Sequence, residues 1–434
     1  MAFSTRLIGR ALPAVVLVLL VVRHEASATD PWERTGFQRQ RLDQLEVTLW
    51  DARVVSVSET EERRWGYHQF PTISRLPDGR LLATCNAGPD QDATYGLPGP
   101  ACVSSDAGFT WVKHAPQEPL LTISHSPVSS VGDGEFLCVP MSPAIDIRKA
   151  GIQLPALSGT VDVYGEVQLY RLSECGPVAQ KLMSEIPAAR WLPDKRRWVR
   201  ETIRWETDDA LARIRKSEFV IARPYIDNRL VRVGDRLLYP DFHLNHVLPD
   251  GTIPKNYACW CMKSDDNGRS WQRHGLIACD HTGNVMMAEP CLLQTSGQDL
   301  ACVIRCSHQR QQPMLITYSG DGGKTWEQPK RLFDFGVMPQ AMLLDNGVAV
   351  VSFGRPGVHL LFSHDRSARE WTQPLSILAG DPDRIDAHTC GYTSLLALDG
   401  DSFLLAYSDF DHDVGDGREA KAILVRKIAV QRLP

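Results

Sequence analysis

The stretch FPTISRLPDGRLLATC, residues 70–85, holds an apolar run, a turn centred on Asp78 and Gly79, and a second apolar run. Strand-length segments around a glycine that supplies positive φ read as an antiparallel β-hairpin. Working outward, the same pattern returns five times: SPVSSVGDGEFLCVP from Ser126, DNRLVRVGDRLLYP from Asp227, EPCLLQTSGQDLACVIR from Glu289, MPQAMLLDNGVAVVSF from Met338 and GYTSLLALDGDSFLLAY from Gly391. Their turn glycines, Gly79, Gly134, Gly234, Gly297, Gly347 and Gly400, are separated by 55, 100, 63, 50 and 53 residues. A period near fifty with one long interval predicts an all-β chain: a six-bladed β-propeller with an insertion between blades two and three.

A second repeat comes after hairpins one, three and four: SSDAGFTW (Ser104 to Trp111), SDDNGRSW (Ser264 to Trp271) and SGDGGKTW (Ser319 to Trp326). In each, an Asp carboxylate can accept backbone N–H groups, a Gly can take the left-handed position and a Trp can pack its ring between sheets. SHDRSAREW, from Ser363 to Trp371, keeps Ser, Asp and Trp but loses the Gly and gains a residue. These copies resemble the Asp boxes, or BNR repeats, of the sialidase (neuraminidase) superfamily. The resemblance runs from about Val47 to the end, so a propeller domain is assigned to residues 46–434. It implies that the boxes lie on the rim away from the catalytic pocket and that Asp106, Asp266 and Asp321 are structural.

The 434 residues carry a formal net charge of −5, and nothing basic points to nucleic acid or an anionic membrane. Arg6 and Arg10, an apolar run from Ala11 to Val22, and Ala26-Ser27-Ala28 read as a secretory signal peptide over residues 1–28. The protein is expected to be secreted or periplasmic, with an uncleaved anchor as the alternative. The cysteine count is 11, an odd number, and most of these cysteines fall inside hairpin strands. They read as small buried hydrophobes rather than disulfides. Their spacing matches no zinc site, and neither a metal nor another cofactor is expected. DFDHDVGDG, with Asp409, Asp411, Asp413 and Asp416, reads as a solvated acidic turn, since it lacks the terminal Glu of a calcium loop.

In the long interval, Trp191, Trp198 and Trp205 recur at seven-residue steps within residues 186–216, which predicts an amphipathic helix leaning an aromatic stripe on a blade. EVTLWDARVVSV from Glu46 and AILVRKIAV from Ala422 read as strands that close the ring. Without closure the end blades would expose their edges.

In a hairpin, the start of strand one and the end of strand two share the edge opposite the turn. Six such edges converge on one mouth. They supply His68, Gln69 and Asp92; Met141 to Arg148; Arg223, Tyr225, Asp241 and His243; Glu289 and Arg305; Arg355; and Tyr392 with Asp409. Here the resemblance becomes residue-specific. Glu289 and Arg305 match the Glu and second Arg of sialidases in order and separation. Arg355 matches the third Arg and Tyr392 the nucleophilic Tyr that opens the final hairpin. Asp92 matches the acid/base Asp, with Asp90 a close rival.

That set suits an anionic sugar. Guanidinium groups bind a sialic acid carboxylate, and a neutral Tyr avoids the repulsion a carboxylate nucleophile would meet. A phenol's ordinary pKa is near 10, so Glu289 is needed as base, while Asp92 protonates the leaving oxygen. The family's first Arg, ahead of a Pro at the first hairpin, is replaced here by Gln69 in Gln69-Phe70-Pro71. A glycan or glycoconjugate is thus the expected partner. The rivals are another glycosidase or a polysaccharide lyase using Tyr392 and His68, and a non-catalytic glycan-binding propeller.

Overall fold

A computed structural model describes residues 30–114, 116–307, 312–415 and 417–434. The leader expected over residues 1–28 lies outside the described residues, as does Asp416 of the acidic turn. The chain is nearly all β, with Gly176–Ser184 as the α-helix among the described residues.

The hairpin over residues 70–85 forms as expected. Tyr67–Arg75 pairs antiparallel with Leu81–Ala87, with Ile73 opposite Ala83, and Gly79 sits at φ 86° in the turn. Ala101–Ser104 and Val112–Lys113 complete a four-stranded unit. Two more units are separate four-stranded sheets: Ala288–Ser296, Asp299–Arg305, Met314–Ser319 and Lys330–Phe333; then Val337–Leu343, Ala349–Gly354, Val358–Ser363 and Leu375–Leu378. Between the first of these and the others lies an eight-stranded sheet made of two antiparallel halves. One half is Ser129–Gly132, Glu135–Cys138, Glu185–Leu192 and Arg197–Trp205; the other is Val231–Val233, Arg236–Asp241, Cys259–Ser264 and Ser270–Ala278. The halves join through a short parallel pairing of Arg204 with Ser270 and Trp205 with Trp271.

The last unit combines both ends of the chain. Thr393–Ala397, Ser402–Asp413 and Glu419–Arg432 accept Leu45–Trp50, with Val47 opposite Val430, and Arg53–Val57 pairs with the other end of Glu419–Arg432. Phe37–Leu42 then lies along the outside of Leu45–Trp50. Successive units share apolar cores. Ile73 and Leu81 of the first unit pack with Leu404 and Val425 of the last, so the series closes on itself.

A further sheet occupies the long interval: Ile145–Asp146, Gly159–Asp162, Glu166–Arg171, Ala210–Arg215 and Val220–Ile221, with Asn245–His246 paired to Ala210–Leu211. The helix expected over 186–216 is absent; those residues form strands instead. Pro193 and Asp194 open a turn in which Arg196 takes φ 47°, and the residues flanking it run antiparallel. A seven-residue step across a tight turn also brings two residues face to face. Trp191 is the cross-strand partner of Trp198, their rings 6.0 Å apart, while Trp205 is buried and stacked on Trp271 at 5.9 Å.

The Asp boxes form the expected turns. In the third, Asp321 accepts from the Thr325 backbone N–H at 3.0 Å and its hydroxyl at 2.7 Å, and the Trp326 indole donates to the Gly323 carbonyl at 3.0 Å. In the degenerate copy Asp365 accepts from the backbone N–H and hydroxyl of Ser367, two residues on instead of four, and Ala368, at φ 53°, takes the place of the glycine. All eleven cysteines are free thiols, ten of them buried.

Candidate functional site

Three of the units start their first strand in the same irregular way. Phe70, Glu289 and Met338 each stand directly before a proline, each with left-handed φ (55°, 45° and 39°), and each ladder shifts register at that point. An extra residue in one strand bends it and re-aims a side chain. A non-glycine residue with positive φ is costly and persists where surrounding structure enforces it. All three side chains line one cavity of about 580 Å³. Arg355, at φ 63°, lines it as well.

Among the sequence-predicted site residues, Asp92, Glu289, Arg305, Arg355 and Tyr392 line this cavity together. The Tyr392 hydroxyl donates to Glu289 Oε1, which also accepts from Arg305 Nη1, and Arg305 Nη1 lies 2.9 Å from the Tyr392 oxygen. Glu289 Oε2 accepts from the Met338 backbone N–H at 2.8 Å, so the bulge of the next unit fixes the carboxylate. The guanidinium of Arg355 lies 5.5 Å from the Tyr392 ring centre and 5.0 Å from that of Trp65, and donates to the Cys390 carbonyl. Glu289, Arg305 and Arg355 are each more than nine-tenths buried.

Burial and the Glu289 charge push the Tyr392 phenol well above its usual value, against the pull of Arg305 and Arg355. The resting nucleophile candidate is therefore neutral, with a carboxylate already in line to take its proton. Burial works against the charge on Arg305, but Glu289, Tyr392 and Tyr164 together outweigh it and raise the pKa of the guanidinium.

The two acid candidates differ in their partners. Asp92 Oδ2 accepts from Arg215 Nε at 3.1 Å, and Arg215 also faces Glu218 at 3.6 Å. Asp90 accepts from the Trp65 indole at 2.9 Å and the Tyr95 hydroxyl at 2.6 Å.

Gln69 is a correction. It is fully buried and does not line the cavity; its Oε1 accepts from the Gly66 N–H at 3.0 Å. The register shift at this position turns Gln69 inward and presents Phe70, whose ring lies 4.8 Å from that of Tyr392. His68 is likewise outside the cavity wall, 3.1 Å from Ser56 Oγ, so the Tyr392–His68 pairing expected of a lyase is not formed.

Sequence reasoning assigned no role to His125, Asp227, Trp65 or Tyr164, which also line the cavity. His125 stands edge-on to Tyr392 at 5.5 Å, and burial lowers its pKa, which favours the neutral ring. His243 was placed at the mouth without a function. It lies between Asp241 (2.8 Å) and Asp227 (3.4 Å); burial opposes its charge, but these carboxylates, Asp227 foremost, raise its pKa. Asp227 was legible as the opening of hairpin three, and His125 as the residue just ahead of hairpin two. Tyr164 lies in a turn of the sheet of the long interval and carries no motif.

The family model for a BNR repeat-like domain matches residues 197–400. A search of curated proteins returns no match. Among solved structures, a protein of unknown function from Dyadobacter fermentans is similar with a TM-score of 0.60 at 15% identity, covering 89% of this chain and 99% of that one. The Hadza microbial sialidase Hz136 is similar at TM-score 0.52 and 14% identity, covering 89% of this chain and 70% of that one. An α-L-arabinanase from Penicillium chrysogenum complexed with arabinobiose gives TM-score 0.51 at 14% identity, covering 87% of this chain and 98% of that one. At these identities the likeness is one of fold.

Proposed function

We propose that the six units are the blades of a β-propeller, that the additional sheet is its insertion, and that the cavity hydrolyses a glycosidic bond to release a terminal sialic or related acidic sugar. The proposal includes export of the protein by the segment over residues 1–28. The observation that carries the chemistry is the contact of Tyr392 with both Glu289 and Arg305 inside one buried, polar cavity. In this reading Glu289 takes the phenolic proton as the Tyr392 oxygen bonds to the anomeric carbon and the bond to the leaving oxygen breaks. Arg305 and Arg355, both beside Tyr392, hold the sugar carboxylate. The Asp92 carboxylate is committed to Arg215, whereas Asp90 has neutral donors; we assign the proton for the leaving oxygen to Asp90, with Asp92 anchoring Arg215. Water then attacks the anomeric carbon, giving its proton to Asp90, and Tyr392 departs and recovers its proton from Glu289.

The test is sugar release from sialyllactose. Wild-type protein should release sialic acid, and Tyr392→Phe should lose roughly a thousandfold or more in kcat while still binding ligand. Asp90→Asn should be slow on sialyllactose but largely spared on a 4-nitrophenyl sialoside, whose leaving group needs no proton. No release by the wild type, or full turnover by Tyr392→Phe, removes this reading.

A further inference from the structure

Among the described residues, four arginines line the cavity: Arg213, Arg215, Arg305 and Arg355. Three are committed. Arg215 pairs with Asp92 and donates to the Val163 and Tyr164 carbonyls, Arg305 meets Glu289, Tyr392 and Tyr164, and Arg355 donates to the Cys390 carbonyl. Arg213 makes neither a hydrogen bond nor an ion pair among the described residues, although its Nη1 is buried. A cation whose donors lose water without gaining an acceptor is costly, and a native protein keeps one for a reason. What holds Arg213 is a ring: its guanidinium lies 4.3 Å from the centre of Tyr257. Stacking fixes the plane of a guanidinium and leaves its N–H edges for a ligand. Asp241 feels the charge of Arg213, but that carboxylate already meets His243 Nδ1 at 2.8 Å and accepts from the backbone N–H groups of His243 and Leu244.

The position of Arg213 says which part of a ligand it meets. Arg213 and Arg215 stand two residues apart on the strand Ala210–Arg215, so both side chains leave the same face. Arg215 is bonded to Asp92 at 3.1 Å, which sets this strand beside the segment that carries both acid candidates. The acid must reach the leaving oxygen, so the departing sugar lies on this side, whereas Arg305 and Arg355 flank Tyr392 at the sugar that is attacked. Phe242 and Met286 line the cavity together with Tyr257, and an apolar wall strengthens a charge contact made against it. We propose that Arg213 binds a second acidic group of the substrate, a carboxylate or sulfate ester on the sugar next to the one cleaved, so that this site prefers glycan chains with anions on neighbouring sugars. This rests on the hydrolase reading above.

The experiment compares kcat/KM for sialyllactose with that for two diacidic relatives: sialyllactose sulfated on its galactose, which keeps the linkage and adds a sulfate, and disialyllactose, which adds a carboxylate. An effect of substitution on the fold or on the attacked sugar acts on all three substrates and cancels in the ratio; loss of the second anion contact does not. Arg213→Gln should lower at least one ratio of diacidic substrate to sialyllactose about tenfold, mainly through KM, and Arg213→Lys should lower it less, because the charge stays and only the fork is lost. A fall in the sulfate ratio alone names the sulfate ester as the source, and a fall in the disialyl ratio alone names the carboxylate. Both ratios at their wild-type values in Arg213→Gln overturn the proposal. If the wild type turns over none of the three, the hydrolase reading falls, and Arg213 is judged by titration calorimetry with trigalacturonate. Binding that is weakened about tenfold in Arg213→Gln and partly kept in Arg213→Lys sustains it; equal binding in all three proteins, or none, overturns it.

Discussion

Glu289 illustrates how much one position can be asked to do. Its backbone sits at φ 45° before Pro290, one carboxylate oxygen accepts from the next unit's backbone, and the other meets both Tyr392 and Arg305. The same bulge in the first unit explains why Gln69 cannot be read as a stand-in for a substrate-binding arginine: the shift hides Gln69 and exposes Phe70. Gln69→Arg would place a guanidinium in a closed site where the Gln69 Nε2 already finds no acceptor, so the charge loses its hydration without a partner. The expected outcome is a loss of at least about 2 kcal/mol in stability with no gain in sialoside affinity. Denaturant unfolding and titration calorimetry check it; tighter binding with unchanged stability would restore Gln69 to the site.

At the scale of the element, the Asp box is a turn held by one carboxylate. Burial works against the charge on Asp321, but hydrogen bonds from Thr325 and Ser319 outweigh it and hold the carboxyl at about 2, against an ordinary 3.8. The folded pKa is depressed, so this contribution is present above about 3.8 and is lost as pH falls through about 2. Asp321→Ala leaves the Thr325 donors without their acceptor and is expected to cost roughly 1–3 kcal/mol at neutral pH, with activity retained because no box residue lines the cavity among the described residues. Thermal unfolding at pH 7, alongside an activity assay, reads both halves; lost activity in a stable variant would contradict the structural role. The degenerate copy shows why such turns were legible: the Trp371 indole still donates to the Ala368 carbonyl at 2.9 Å, as Trp326 does to Gly323, without the glycine. The Trp191–Trp198–Trp205 stripe was not, because a seven-residue step fits two helical turns as well as a cross-strand pair, and only the Pro193 turn distinguishes them.

For the whole molecule, the six hairpins and the meeting of the chain ends were legible because local turn chemistry and apolar runs agree. The sheet of the long interval was not, since its strands, three of them only two residues long, have no repeat to expose them. The same holds for the site: residues at hairpin edges could be read, whereas Tyr164 and Arg215 reach the cavity from a segment whose placement depends on distant pairing. Closure is where local and global order meet. Val47, fully buried, sits between Gln40 on its outer side and Val430 on its inner side, in a core that also holds Val350, Phe362 and Phe403. These residues come from two neighbouring units, so a charge at Val47 disrupts the packing between units as well as one strand pair. Val47→Asp buries an unpaired carboxylate at the seam and opens the edge of the last unit; Gln40→Asp, on the exposed outer strand, does neither. The expected result is that Val47→Asp is insoluble or unfolds far below the wild type in a single transition, while Gln40→Asp melts within about 2 °C of it. Circular dichroism melts of the two variants decide the matter, and a Val47→Asp protein with wild-type stability would mean that the seam does not hold the ring together.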